Sequence, residues 1–237
     1  MWRLAIAVLT LTTLCFWAVS SLAYEETTLT DGGKIVGVAK FAGTIPEPRK
    51  LDVVKDQDYC GKALASDELV ISKERLIKGV VVNIEGINKG KKITKGVVIL
   101  DNNKCYFQPH AQAALAGSEI DVKNSDPKLH NTHAYLGKIT VFNLAMPIQG
   151  QVIKKKLRPQ PGLMTVKCDA HAWMSAVIKT FDHPYFATSD DGGAFTITDV
   201  PPGKYKLVAW HEVLGTQTKE ITVPAKGEAK VEFTFQK

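Results

Sequence analysis

The chain has 237 residues, 45% of them hydrophobic, and its 30 Lys and Arg against 24 Asp and Glu give a formal net charge of +6. A basic balance favours acidic partners. The lysines are scattered, however, and no arginine-rich cluster with interleaved aromatics occurs, which speaks against a nucleic-acid interface. There is no G-x-S-x-G, no H-E-x-x-H and no phosphate-binding glycine loop, so the sequence carries no enzyme signature.

Residues 1–23 read as a cleaved targeting segment. Arg3 is its basic start, Leu4 to Val19 its apolar stretch, and Ser21-Leu-Ala23 supplies small residues before a cut near Tyr24. Leu14 precedes Cys15, which argues against lipid attachment there. No other segment is apolar enough to span a bilayer. The expected mature protein is therefore exported to the periplasm or beyond, with no membrane insertion, and is long enough for one large or two small β domains.

Strand signals then dominate. Candidates run over 34–41, 79–84, 97–100, 120–123, 138–143, 163–167 and 176–181, followed by 194–198, 204–210, 218–223 and 229–235. In the last, Val231, Phe233 and Phe235 share one face. Turn residues spaced about ten apart predict an all-β, sandwich-type fold. Only Ala63–Lys78 leaves a helix open, and Leu69-Val-Ile71 within it reads equally as strand. The predicted organisation is an N-terminal β segment (24–96), a central domain (97–181) and a C-terminal β-sandwich (182–237), with a boundary near Asp182-His-Pro184.

The chemistry concentrates in Cys168-Asp-Ala-His171-Ala-Trp-Met174, read together with His130 in Asn124-Ser-Asp-Pro-Lys-Leu-His130-Asn131. One thiol, two imidazoles and one thioether form a soft donor set. His₂Cys in a plane with a weak axial Met is the arrangement of blue-copper electron-transfer sites. Zinc also takes Cys and His, but a thioether suits it poorly. If Cys168 holds a metal, Cys60 and Cys105 remain after Cys15 is removed. In an oxidising compartment they are expected to pair, two buried thiols being the alternative.

These motifs resemble the cupredoxins. The C-x-x-H-x-x-M loop is similar to that of the amicyanin and plastocyanin-like type 1 copper domains, and the Asn124 to Asn131 stretch is similar to their first ligand loop. The resemblance covers about residues 97 to 181. It implies a Greek-key β-sandwich holding one type 1 copper per chain, with His130, Cys168, His171 and Met174 as ligands and Asn131 tying the two ligand loops together. It also implies that His171 reaches the surface as an electron port, ringed by Ala170, Ala172 and Trp173. Two departures stand out: Ala172 replaces the proline usual after the second histidine, and Met164-Thr-Val-Lys167 lacks the aromatic residue often found before the cysteine.

The string Asp191-Gly-Gly-Ala-Phe195, then Val200-Pro-Pro-Gly-Lys-Tyr205-Lys-Leu207, resembles the carboxypeptidase-regulatory, transthyretin-like domain, a small non-catalytic sandwich. The C-terminal fragment is short of one or two strands for such a domain. Gly33–Phe41 looks like its first strand, although an N-terminal extension of the cupredoxin sheet is the simpler reading. His110, His133, His183 and His211 leave a second metal site open.

The function expected is electron transfer between redox proteins such as cytochromes, with Lys154-Lys-Lys156, Arg158 and Lys167 placed to steer acidic ones. The alternatives are a copper carrier or storage protein, and a structural or adhesion module with a vestigial site.

Overall fold

A computed structural model describes residues 24–237. The targeting segment read in residues 1–23, with Cys15, lies outside the described residues. Ahead of the central body come β1 (Glu25–Glu26), β2 (Gly33–Phe41), β3 (Lys50–Asp52), the short helix α1 (Gln57–Cys60), β4 (Ala63–Ala65), β5 (Val81–Ile84) and β6 (Lys89–Gly90). The central strands are β7 (Val97–Asn103), β8 (Tyr106–Gln108), β9 (Ala111–Leu115), β10 (Glu119–Asn124), β11 (His130–Leu136), β12 (Ile139–Met146), β13 (Val152–Lys156), β14 (Gly162–Lys167) and β15 (Ser175–Phe181). The chain finishes with β16 (Phe186–Thr188), β17 (Ala194–Val200), β18 (Gly203–His211), β19 (Gly215–Val223) and β20 (Glu228–Phe235). The fold is all-β, as the turn spacing predicts. No helix forms over 63–78; that stretch holds β4 and an isolated bridge between Ile71 and Ile77.

Two sheets make the first sandwich. One has the order β13-β10-β7-β8, the other β12-β11-β14-β15-β9. Strand alternation explains how they face each other. In β10, Ile120, Val122 and Asn124 point inward while Glu119, Asp121 and Lys123 point out. The inward residues meet Leu100, Phe107, Ala134, Met146, Met164, Val166 and Ile178 in one apolar core. β7 and β10 run parallel, and so do β9 and β15. Parallel neighbours cannot be joined by a tight hairpin, so the chain crosses between the sheets.

The second sandwich has sheets ordered β16-β5-β18-β19 and β17-β2-β20. β2 and β5 come from the segment ahead of the first sandwich, yet neither joins its sheets. β2 runs parallel to β20, with Ala39 opposite Phe233 and Phe41 opposite Phe235. Gly37 sits where a Cβ would come within 2.3 Å of the Phe195 ring, so this strand position needs glycine to let the ring lie across it. Ile35, Ile84, Leu207, Phe233 and Phe235 are fully buried together. Each such side chain contributes roughly 1.5–3 kcal/mol when removed from water.

Among the described residues, no helix is long and apolar enough to cross a membrane.

Candidate metal centre

The ligand loop is the turn of a β-hairpin. β14 and β15 pair antiparallel, with Lys167 opposite Ser175, so residues 168–174 form the connection. The Cys168 N–H donates to the Met174 carbonyl at 3.3 Å, and the Met174 N–H to the His171 carbonyl at 3.0 Å. These two bonds close the loop, in which Cys168, His171 and Met174 are buried while Asp169 and Ala172 are exposed. β11 lies beside β14, with His133 opposite Lys167, which brings the start of β11 next to the loop. Alternation along β11 buries His130, Thr132 and Ala134 and turns His133 the other way. Asn124 holds the approach to β11: it is fully buried, and its amide donates to the Met146 carbonyl at 2.8 Å and the Lys128 carbonyl at 3.0 Å.

Three donors converge there, all from fully or almost fully buried side chains. His171 Nδ1 is 3.0 Å from His130 Nδ1, and Cys168 Sγ is 3.7 Å from His171 Nδ1 and 4.0 Å from His130 Nδ1. Metal–nitrogen bonds near 2.0 Å and a metal–sulfur bond near 2.3 Å would set trigonal edges of about 3.5 and 3.7 Å. The triangle is within a few tenths of an ångström of that along two edges and about 0.5 Å short along the third. The opposite ring nitrogens are both occupied. His130 Nε2 lies 2.9 Å from Asp126 Oδ2, and His171 Nε2 lies 2.8 Å from Asp56 Oδ2. A carboxylate at Nε2 fixes the proton on that nitrogen and leaves Nδ1 as the inward donor. The Asn131 N–H donates to Cys168 Sγ at 3.3 Å, and Asn131 Oδ1 accepts from the Asp169 N–H at 3.0 Å. Asn131 thus joins the two ligand segments from both its main chain and its side chain. Met174 is buried in the same core as Cys168.

The electrostatics suit a cation. Burial alone would raise the Cys168 thiol, but hydrogen bonding from His130, His171 and the Asn131 N–H outweighs it and brings the pKa down to about 6. Burial would likewise lower His130; bonding to Asp126 and Cys168 prevails and raises it to about 9. Asp126 lies below the usual carboxylate range: burial opposes this, but it accepts from His130, Tyr59 and the Lys104 and Cys105 N–H groups. A thiolate and two inward imidazoles hold either a proton or a metal ion, and the two compete. The donor set fits copper, with a soft thiolate, two imidazoles and a thioether in the same loop.

One expectation fails. His171 is 0% exposed and is no surface port. A strap from the N-terminal segment covers it. Asp56 caps its outer nitrogen, and the Trp173 ring lies 4.9 Å from its own. Of the proposed docking ring, Ala172 is exposed while Ala170 and Trp173 are half-buried. Lys154 to Lys156 lie on β13, at the edge of the four-stranded sheet and not in the ligand-loop sheet.

Cys60 and Cys105 form a disulfide across 45 residues. A second converging group, Cys105, Asp126 and His130, contains one of these bonded sulfurs and so offers no free thiolate. The remaining histidines do not converge on a metal site among the described residues. His183 and His211 are buried, and each accepts a local backbone N–H at Nδ1. His133 stacks on Tyr135 and pairs with Asp169 at 3.0 Å. His110 sits between Asp67, at 3.2 Å from Nδ1, and Glu212 at Nε2.

Sequence reading missed Asp126 and Asp56. Asp126 lies four residues before His130 inside the motif already singled out, so a local signal existed. Asp56 is 115 residues from His171, and no spacing rule connects them.

Comparison with known structures gives weak likenesses over part of the chain. The Cu-containing nitrite reductase from Thermus scotoductus SA-01 aligns at 16% identity and a TM-score of 0.32, over 38% of this chain and 24% of that one. This chain therefore spans about a quarter of that enzyme. A purple cupredoxin from Nitrosopumilus maritimus aligns at 16% identity and a TM-score of 0.31, over 35% of this chain and 99% of that one. Amicyanin from Paracoccus versutus aligns at 16% and 0.32, over 38% and 86%. No curated protein matches the chain. Residues 172–236 match the carboxypeptidase regulatory-like domain family, from within the ligand loop through β20.

Proposed function

We propose that this chain is an exported type 1 copper protein that carries single electrons between redox partners. The observation that carries the reading is the buried convergence of His130, Cys168 and His171 within 4.0 Å, with both imidazoles held by carboxylates. Copper bound there would supply a one-electron couple. The protein's part is to hold the donors still. The hairpin loop fixes Cys168 and His171, β11 fixes His130, and Asp56 and Asp126 fix both rings. Met174 would be the axial donor. The Cys60–Cys105 disulfide supports an oxidising compartment. Exposed Ala172 and half-buried Trp173 support docking of a partner over the loop, with the basic balance favouring an acidic one. No bond is made or broken in this role.

The sealed site supports retention of copper over the release that a carrier needs. A vestigial module would have no use for buried ionisable groups, which are costly unless partnered; here each is partnered. Copper titration of the mature protein should give about one copper per chain and an intense sulfur-to-copper absorption band. Cys168→Ser should abolish that band with far-ultraviolet circular dichroism unchanged. A colourless wild-type protein that fills with zinc instead sinks the proposal.

A further inference from the structure

The strap over the site is built around one turn of helix. Asp56 stands at its N-cap in the left-handed region, with φ 52°. Its carboxylate reaches His171 Nε2 at 2.8 Å. Three residues on, the Tyr59 hydroxyl donates to Asp126 Oδ1 at 2.8 Å, and Asp126 in turn holds His130. The next residue, Cys60, is bonded to Cys105. Residues three and four apart on a helix share a face, so Asp56, Tyr59 and Cys60 present together to the metal centre. Lys128, from the loop before β11, closes the outer side at 2.6 Å from Asp58 and 3.6 Å from Asp56. Val53 and Cys60 are buried against Trp173 of the ligand loop. A single segment, remote in sequence, therefore supplies the outer partner of His171 and touches that of His130.

We propose that Asp56 is the positioning residue for His171, delivered by a disulfide-tethered strap that seals the centre, so that copper exchange requires the strap to lift. This rests on the copper reading above. Two consequences follow. The Asp56 carboxylate makes His171 a better donor to Cu(II), and removing it should cost about 10–100-fold in Cu(II) affinity. The seal should also make copper transfer to a chelator slow, and faster in any variant that frees the strap.

The test uses the full mature protein, loaded with copper and kept oxidised, with EDTA as the Cu(II) acceptor. Asp56→Ala should keep the sulfur-to-copper band, raise the reduction potential and speed copper loss at least tenfold. Asp56→Glu should restore part of both effects. The Cys60→Ser/Cys105→Ser pair should speed copper loss with Asp56 intact. Lys62→Ala, exposed just beyond the strap, should leave the potential unchanged. In the metal-free protein, ¹⁵N NMR should show His171 with a slowly exchanging Nε2 proton that Asp56→Ala exposes to solvent. Potential and copper loss unchanged in Asp56→Ala, with the band present, overturn the proposal and leave the copper reading standing. A wild type without the band fails the copper reading, and the NMR signature still decides whether Asp56 positions His171. A fast-exchanging Nε2 proton in the wild type overturns the proposal.

Discussion

His130 and His211 are both buried, one in each sandwich, and burial pushes both toward the neutral form. They end far apart. His211 falls to about 4 through burial and then the nearby charge of His110. His130 rises to about 9 because Asp126 and the Cys168 sulfur face its two nitrogens. The difference teaches that burial by itself makes a histidine inert, while charged partners arranged on both sides of the ring make it a cation site. The second sandwich keeps His211 as core, while the first gives His130 a partner on each ring nitrogen.

Substitution tests the contrast most strongly at these two residues. His130→Ala should abolish stoichiometric copper loading, measured by metal content after dialysis. His211→Phe should leave loading intact and cost about 1 kcal/mol for the lost bond from the Val213 N–H. Equal copper loss in both variants would break the comparison.

The disulfide is the next lever, since it secures the first region only. Its loop spans 45 residues, and the chain-entropy model gives about 4 kcal/mol of stabilisation as an upper figure. Urea unfolding of the Cys60→Ser/Cys105→Ser pair should show a loss approaching that value. Intact-mass alkylation of the metal-free wild type should find only Cys168 reactive. Three reactive thiols without reductant would contradict the pairing.

A smaller effect is expected at Met174. If it is the axial donor, Met174→Gln should lower the reduction potential and Met174→Leu should raise it. Voltammetry that finds neither change would leave Met174 as core packing alone.

The smallest effect concerns His110, which shows partnered histidine chemistry where residue segments of both sandwiches meet. Burial opposes its charge, but Asp67 and Glu212 raise it to about 10. Its ion pairs therefore contribute fully below the ordinary histidine value of about 6.5, and that contribution is lost as pH rises toward 10. Urea unfolding of the copper-loaded protein, in which His130 would not titrate, should show stability falling across this window. His110→Gln should flatten the fall, and parallel curves would remove His110 from the account.

Local pattern made the all-β class and most strand positions legible. Strands such as β10, β14, β15 and β20 alternate or pack apolar residues in a way that a few neighbouring residues reveal. β11, which carries His130, is not among the predicted strands although it alternates, and neither are β9 and β13. Ala111–Leu115 is only partly buried along its length, and Val152–Lys156 is an exposed edge rich in lysine, so neither alternates clearly. The loop at 168–174 was legible because Cys168, His171 and Met174 lie within seven residues, and the Asn124 to Asn131 motif pointed to His130.

The sequence by itself determined the identity and spacing of Cys168 and His171, because a hairpin turn keeps neighbours in sequence as neighbours in space. It also carried the alternation that turns His130 inward and His133 outward. Only the tertiary structure decided that β2 and β5 enter the C-terminal sheets, that Asp56 stands behind His171, and that the expected surface port is sealed. Those arrangements join residues tens to more than a hundred positions apart. Strand pairing and packing between distant segments bring them together, and no local period or spacing encodes which distant partner a buried nitrogen will find.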